Sequence, residues 1–181
     1  MVMEPEVQLV HKWITEVVVG LNFCPFAARP LKTGKIHFSI NKGATLKSAL
    51  ETLAEVCSML DENDEIETAI VILPEGFVSF NDYLYLVDCC EQLIVKEGYE
   101  GTYQVASFHP EYVFQGSDEN DPANYTNRSP FPLLHLLREE MLENALEKYP
   151  HPEKIPENNI EMTRKLGLEH MKSLFLACLK G

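Results

Sequence analysis

The sequence predicts an α/β domain: a small, largely parallel sheet of about three strands, flanked by helices and finished by a C-terminal helical hairpin. Three observations predict it. The chain has 181 residues, the size of one domain (1–181) with a helical extension over 150–181. An apolar share of 45% against 24% charged residues suits a folded core rather than a disordered chain. Segments patterned as strands and as helices then alternate, strand–helix–strand–helix–strand, and crossovers of that length are right-handed and join parallel strands.

The elements follow in order. Pro5 suits the first turn of a helix, and Val7, Val10, Ile14, Val17, Val18 and Leu21 recur at helical spacing up to the terminator Gly20. The breaker-rich segment Asn22-Phe23-Cys24-Pro25-Phe26 comes next. Lys35 to Ile40 alternates polar and apolar and reads as a strand. Thr45 caps a helix that carries Leu46, Leu50, Leu53, Cys57 and Leu60 on one face. Thr68 to Leu73 is a β-branched apolar run stopped by Pro74, the pattern of a strand covered on both faces. Ser79 and Asp82 cap a third helix, with Tyr83, Val87, Cys90 and Ile94 inward and Gly98 at its end. Tyr103 to Phe108 supplies the third strand. After an aperiodic stretch, Pro130 and Pro132 open a helix with the core stripe Leu134, Leu137, Met141 and Ala145. Pro150, Pro152 and Pro156 mark a linker to a helical hairpin broken near Gly167, with Met171, Leu174, Phe175 and Cys178 buried.

Charge and cysteine usage narrow the function. A formal charge of −13 disfavours binding to nucleic acid or to an anionic membrane, since both need a positive surface. No apolar run reaches the roughly 18 residues of a membrane span, and the amino terminus has no apolar signal core, so the expected location is the cytoplasm, or an organelle if a transit peptide has been trimmed. The glycosylation patterns at Asn124 and Asn127 are then coincidental. Five cysteines without a CxxC spacing form neither a disulfide framework nor a structural zinc site. Only four arginines occur (Arg29, Arg128, Arg138 and Arg164), and two fall between Phe108 and Glu139. In an acidic chain, arginines so placed point to a specific anionic partner.

That stretch holds most of the reactive residue types. A structureless loop of about twenty residues, His109 to Ser129, is unusual in a compact domain unless it serves a function. Ligands of open parallel sheets sit beyond the carboxyl ends of the strands, where the third strand runs into His109. Pro110 holds that histidine extended; it reads as a general base, a metal ligand or a donor, or else as a satisfied histidine among aromatics. Tyr125, Asn127 and Arg128 lie in a polar segment just before the helix amino terminus expected at Pro130, where Arg128 can fork a carboxylate or phosphate. The plainer alternative is a capping loop with Ser129 as the cap and side-chain turns at Asn124 and Asn127. On the expected helix, His135 and Glu139 stand four apart with Arg138 beside them, which suits two metal ligands, a histidine oriented by a carboxylate, or a solvated ion pair. Cys24 is a candidate nucleophile if a cation lowers its pKa, and otherwise a small buried apolar residue. Cys89-Cys90 lies mid-helix and reads as packing. Asp118, Glu119 and Asp121 lack the glycine and terminal glutamate of a calcium loop.

Three segments together, Asn22-Phe-Cys-Pro-Phe-Ala27, Phe108-His-Pro-Glu-Tyr-Val-Phe114 and Asn124-Tyr-Thr-Asn-Arg-Ser-Pro-Phe-Pro-Leu-Leu-His-Leu-Leu-Arg-Glu139, resemble the bacterial and plant domain-of-unknown-function family DUF1415 over almost the whole chain. The resemblance marks Cys24, His109, Tyr125, Asn127, Arg128, His135, Arg138 and Glu139 as motif positions and carries no catalytic assignment, cofactor or fold.

Three functions stay open on the residues alone. One is an enzyme for a small anionic metabolite, with Arg128 and Arg138 holding the anion, Asn127 and Tyr125 helping to bind it, His109 or His135 moving protons, Glu139 orienting a histidine and Cys24 as nucleophile. The second is a metal site built from His109, His135 and Glu139. The third is a non-enzymatic module that binds a ligand or a protein against the aromatic loop. Cofactor and oligomeric state are open.

Overall fold

The computed structural model describes residues 3–180. Among them the sheet has four strands, β1 (Ile36–Ile40), β2 (Thr68–Ile72), β3 (Tyr103–Phe108) and β4 (Leu133–Arg138), in the spatial order β1-β2-β4-β3. β1 and β2 pair in parallel, as the alternation of patterns implies. β4 runs antiparallel to both β2 and β3 and separates them, so the sheet is mixed rather than largely parallel.

The fourth strand is the main correction to the sequence reading, because the helix expected after Pro130 begins only at Glu139. Leucine favours helices in isolation, but the slot between β2 and β3 decides here. Leu134 and Leu136 turn to one face of the sheet and Leu133 to the other, each fully buried. A near-continuous apolar run is what a strand covered on both sides requires. Pro132 begins it: its carbonyl accepts from the Leu73 N–H at 3.0 Å, extending the ladder with β2.

The helices lie on the two faces. α3 (Leu46–Glu62) and α4 (Phe80–Lys96) cover one, packing Leu53, Val56, Leu60, Leu86, Val87 and Ile94 against Ala69, Val71, Leu134 and Leu136. Their caps are those the sequence implies, Thr45 accepting from Ser48 N and Ser79 from Asp82 N. Tyr83 ties α4 to the sheet: its hydroxyl donates to Leu133 O at 2.5 Å and accepts from Phe108 N at 2.9 Å, bridging β4 and β3.

The second face is covered by the amino-terminal helix and the C-terminal hairpin. α1 (Pro5–Trp13) continues without a break as a π-helical segment, Ile14–Val19, in which Gly20 N bonds Thr15 O at 3.1 Å and Phe23 N bonds Val18 O at 2.9 Å. The wider turn gathers Trp13, Ile14, Val17 and Val18 toward the sheet. α6 (Ile155–Leu166) and α7 (Leu168–Cys178) form the expected hairpin, broken at Gly167, whose φ of 85° an L side chain rarely adopts. Met171 and Cys178 are buried, while Leu174 and Phe175 are partly so. Two shorter α-helices remain, α2 (Ala28–Thr33) and α5 (Glu139–Glu147), with short 3₁₀ helices at Pro122–Thr126, inside the loop expected to be structureless, and at Pro152–Lys154. α5 springs directly from the end of β4, and none of its residues is buried.

Candidate functional site

A cavity of about 440 Å³ opens on the second face, where α1 and the hairpin leave the lower half of the sheet uncovered. Thr68, Ile70, Ala106, Leu133, His135 and Leu137 line it from the strands. Trp13, Ile14 and Val18 form one wall, and the segment from Cys24 to Pro30 forms a second. Met141, Leu142 and Ala145 of α5 close over it, so Met141 and Ala145 of the expected core stripe face a cavity instead of a core. The cavity is not at the carboxyl ends of β1 and β2, as the parallel-sheet rule suggests. It lies toward their starts, because β4 is antiparallel and carries His135 toward that edge.

His135 pairs with Ile70 across the ladder and shares a face with Thr68. The Thr68 hydroxyl has a single proton, which it donates to Leu136 O at 2.5 Å. Nε2 of His135, 2.7 Å from the same oxygen, must then be the donor to it. That fixes the neutral tautomer and leaves the lone pair on Nδ1 with no protein partner among the described residues. Nδ1 is not among the sealed unpartnered atoms, so the lone pair is reached from the cavity. Burial pushes the imidazole pKa down to about 4, and the ring is uncharged at neutral pH.

Cys24 borders the same cavity. The chain turns sharply out of the π-helical segment at Asn22, which has a left-handed φ of 54°, and Ala27 N closes a tight turn on Cys24 O at 3.2 Å. Burial raises the thiol pKa, and the N–H groups of Phe26 and Ala27 only partly offset it. The nearby cation that would activate a thiolate is absent from that balance, so Cys24 is a neutral thiol. Trp13, 2% exposed, edges onto Phe108 at 5.3 Å, and its indole N–H is the one sealed side-chain polar atom without a partner among the described residues.

Charge stays at the rim. Glu67 bonds Arg29 at 3.0 Å and Lys35 at 3.4 Å, so Arg29 is already neutralised where it meets the cavity. Arg138 borders the cavity, but its guanidinium is fully engaged by other partners. Nε donates to Ile66 O at 3.0 Å, Nη2 to Leu60 O at 2.5 Å and Asn63 O at 3.0 Å, and Nη1 to the Tyr103 hydroxyl at 3.3 Å. It ties the end of α3 to the sheet.

The remaining sequence candidates do not converge on the cavity. His109 is 1% exposed: Nε2 donates to Phe77 O at 2.9 Å, Nδ1 accepts from Glu111 N at 3.0 Å, and the tilted rings of Phe80 and Tyr83 pack against it. Both nitrogens are satisfied, and burial lowers its pKa. Arg128 donates to Tyr112 O and Glu119 O, each at 3.1 Å, and lies 4.6 Å over the ring of a buried Tyr125. Asn127 donates to Ser107 O at 3.1 Å and, through its own carbonyl, accepts from His109 N. The long loop is thus held by its own polar side chains, with Asn124 bonding Asp118 O and Phe114 N inside it. Glu139 is not on a helical face with His135. His135 lies in the middle of β4 while Glu139 opens α5, and the Glu139 N–H bonds Thr102 O at 3.0 Å. His109, His135 and Glu139 do not form a cluster, and among the described residues no group of three or more His, Cys, Asp or Glu is arranged to hold a metal ion.

The structure therefore joins Cys24 and His135 and separates both from His109, Tyr125, Asn127, Arg128 and Glu139. It adds Thr68, Trp13, Arg29 and Glu67. Thr68 was legible only as a β-branched strand residue, and Trp13 carried no signal beyond helical spacing. No helix among the described residues is long and apolar enough to cross a membrane. No curated protein and no solved structure matches the chain. Residues 6–173 match the family model described as Protein of unknown function (DUF1415), and the chain belongs to that family.

Proposed function

We propose that this protein is an enzyme acting on a small molecule bound in the sheet-face cavity, with Nδ1 of His135 as proton acceptor and the Cys24 thiol in reach of the bound molecule. The observation that carries the reading is the meeting of these two residues, distant in sequence, at one mostly apolar cavity. An imidazole locked in one tautomer, with its free lone pair facing a mostly apolar cavity, is the arrangement a general base requires. With the thiol raised and the imidazole lowered, no preformed thiolate–imidazolium pair exists, so any proton leaves the sulfur only as a bond to substrate forms. Arg128 and Arg138 are not part of this reading, because their guanidinium groups are bonded to backbone carbonyls.

A second reading, a non-catalytic binding protein, is favoured by one feature: every charged group at the cavity is paired or turned away from it. The two readings separate in one experiment. A thermal-shift screen of small metabolites selects binders, since a ligand of the native state raises the melting temperature. Each binder is then incubated with wild type, His135→Phe and Cys24→Ser and its chemical fate followed by mass spectrometry. Conversion by wild type that falls roughly 10²–10⁴-fold in His135→Phe supports the enzyme. Binders recovered unchanged overturn it in favour of the binding protein.

A further inference from the structure

We infer that the molecule this cavity takes is uncharged and largely hydrocarbon, and that it carries a neutral hydrogen-bond donor, in the simplest case a hydroxyl, directed at Nδ1 of His135. This deepens the proposed function by naming the ligand class. It rests on that reading only for the location of the site.

The polar needs of the cavity are few. On the sheet, Thr68 fixes the proton of His135 on Nε2, so the nitrogen that faces the cavity offers a lone pair and no proton. A carboxylate or phosphate oxygen brought to it would meet lone pair against lone pair. A hydroxyl supplies the missing proton. In the wall of the same cavity, the N–H of Trp13 is sealed from the cavity space and has no acceptor among the described residues, so it calls for no charged partner. Neither group asks for a charge.

The cations near the cavity cannot supply one. Arg29 is held by Glu67, which Lys35 also contacts, and the guanidinium of Arg138 is engaged with Leu60, Asn63 and Ile66 carbonyls on the opposite side of the sheet. An anion entering the cavity would lose its water without gaining a counter-charge. An ammonium fares no better, since the carboxylate of Glu67 already has two cations. The remaining lining is hydrocarbon and aromatic: Ile14, Val18, Phe26, Phe108, Leu133 and Leu142. Occupancy of such a surface favours a hydrocarbon body, with a single hydrogen bond fixing its orientation.

Trp13 is the only tryptophan of the chain, so its fluorescence reports the cavity directly. Full-length protein is titrated with para-propylphenol, its methyl ether and para-propylbenzoate. The phenol is expected to bind at least about tenfold more tightly than either of the others, the value of one net hydrogen bond or more. In His135→Phe the preference of phenol over ether is expected to vanish. A measurement on wild type stands beside it: the ¹⁵N resonance of His135 Nδ1 should move on adding the phenol and stay in place with the ether. Three results overturn the inference. They are benzoate binding as tightly as the phenol, a phenol preference that survives with no Nδ1 response, and the absence of any Trp13 response to the three probes. Turnover decides the enzyme reading separately. A protein that binds the phenol in this way and converts nothing keeps this inference and loses that one; conversion of a carboxylate held in the cavity does the reverse.

Discussion

Replacing Arg138 by methionine tests whether that arginine holds the fold or a ligand. Its guanidinium makes four hydrogen bonds, to Ile66 O, Leu60 O, Asn63 O and the Tyr103 hydroxyl, which itself donates to Asp61 Oδ1 at 2.6 Å. The bond to Asn63 O is exposed and contributes little. The other three are partly buried, and at about 1 kcal/mol each their loss costs about 3 kcal/mol. Methionine keeps most of the packing over the Tyr103 ring, so the loss is mainly polar. For a chain of 181 residues, with about 2–4 °C per kcal/mol, the melting temperature should fall by about 6–12 °C. Arg138→Lys should recover less than half of this, because an ammonium cannot span carbonyls on α3 and on the strand approach together. Thermal and urea unfolding followed by circular dichroism give the answer. If Arg138→Met melts within about 2 °C of wild type, the guanidinium is not holding the fold, and the assignment of a structural role is wrong.

Three other outcomes follow from the same geometry. Because His135 has a folded pKa near 4 against an ordinary 6.5, the unfolded chain binds the extra proton between those values. Stability should therefore fall as pH drops from about 6.5 to about 4, by up to ~3 kcal/mol, and His135→Phe should remove that part of the slope; equal urea-midpoint slopes in the two proteins would refute it. Cys24 should react with iodoacetamide more slowly than a free cysteine, with a rate still rising at pH 9, because burial holds the thiol protonated; a plateau below pH 7 would contradict this. His109→Leu should lose about 2–3 kcal/mol, from the orphaned Phe77 carbonyl and Glu111 N–H, while leaving the Trp13 fluorescence titration unchanged. A variant that folds with native stability but no longer binds would return His109 to the functional site.

Where hydrophobic period and caps agreed, the fold was readable from the residues. α3 and α4 have both, and their boundaries, caps and inward faces follow the spacing closely. β1, β2 and β3 fall where the apolar runs place them, to within a residue at each end. The failure at β4 has a physical cause. Leu-Leu-His-Leu-Leu-Arg has no decisive period, the two prolines before it open a helix as readily as they start an extended segment, and a central strand shows itself only once its neighbours exist. From that single error the rest follows. A strand read as a helix moves His135 and Glu139 onto one face and hides the antiparallel return that makes the sheet mixed.

The same loop that looked richest in chemistry turns out to consume its own polar groups. A long irregular segment has backbone donors and acceptors that no ladder satisfies, and buried ones must find side-chain partners. Asn124, Asn127, Arg128 and His109 meet that demand, which is why a dense run of reactive residue types between Phe108 and Ser129 yields an internally bonded loop and no open cluster. The cavity arises where the opposite holds. There β-sheet ladders and helical turns already satisfy the backbone, so the few polar side chains that remain, Nδ1 of His135 and the Cys24 thiol, are left over for a ligand. Residue type alone ranked His109 and His135 together; which one keeps a free lone pair was decided by what surrounds each ring. For His135, that is a threonine hydroxyl on one side and an apolar cavity on the other.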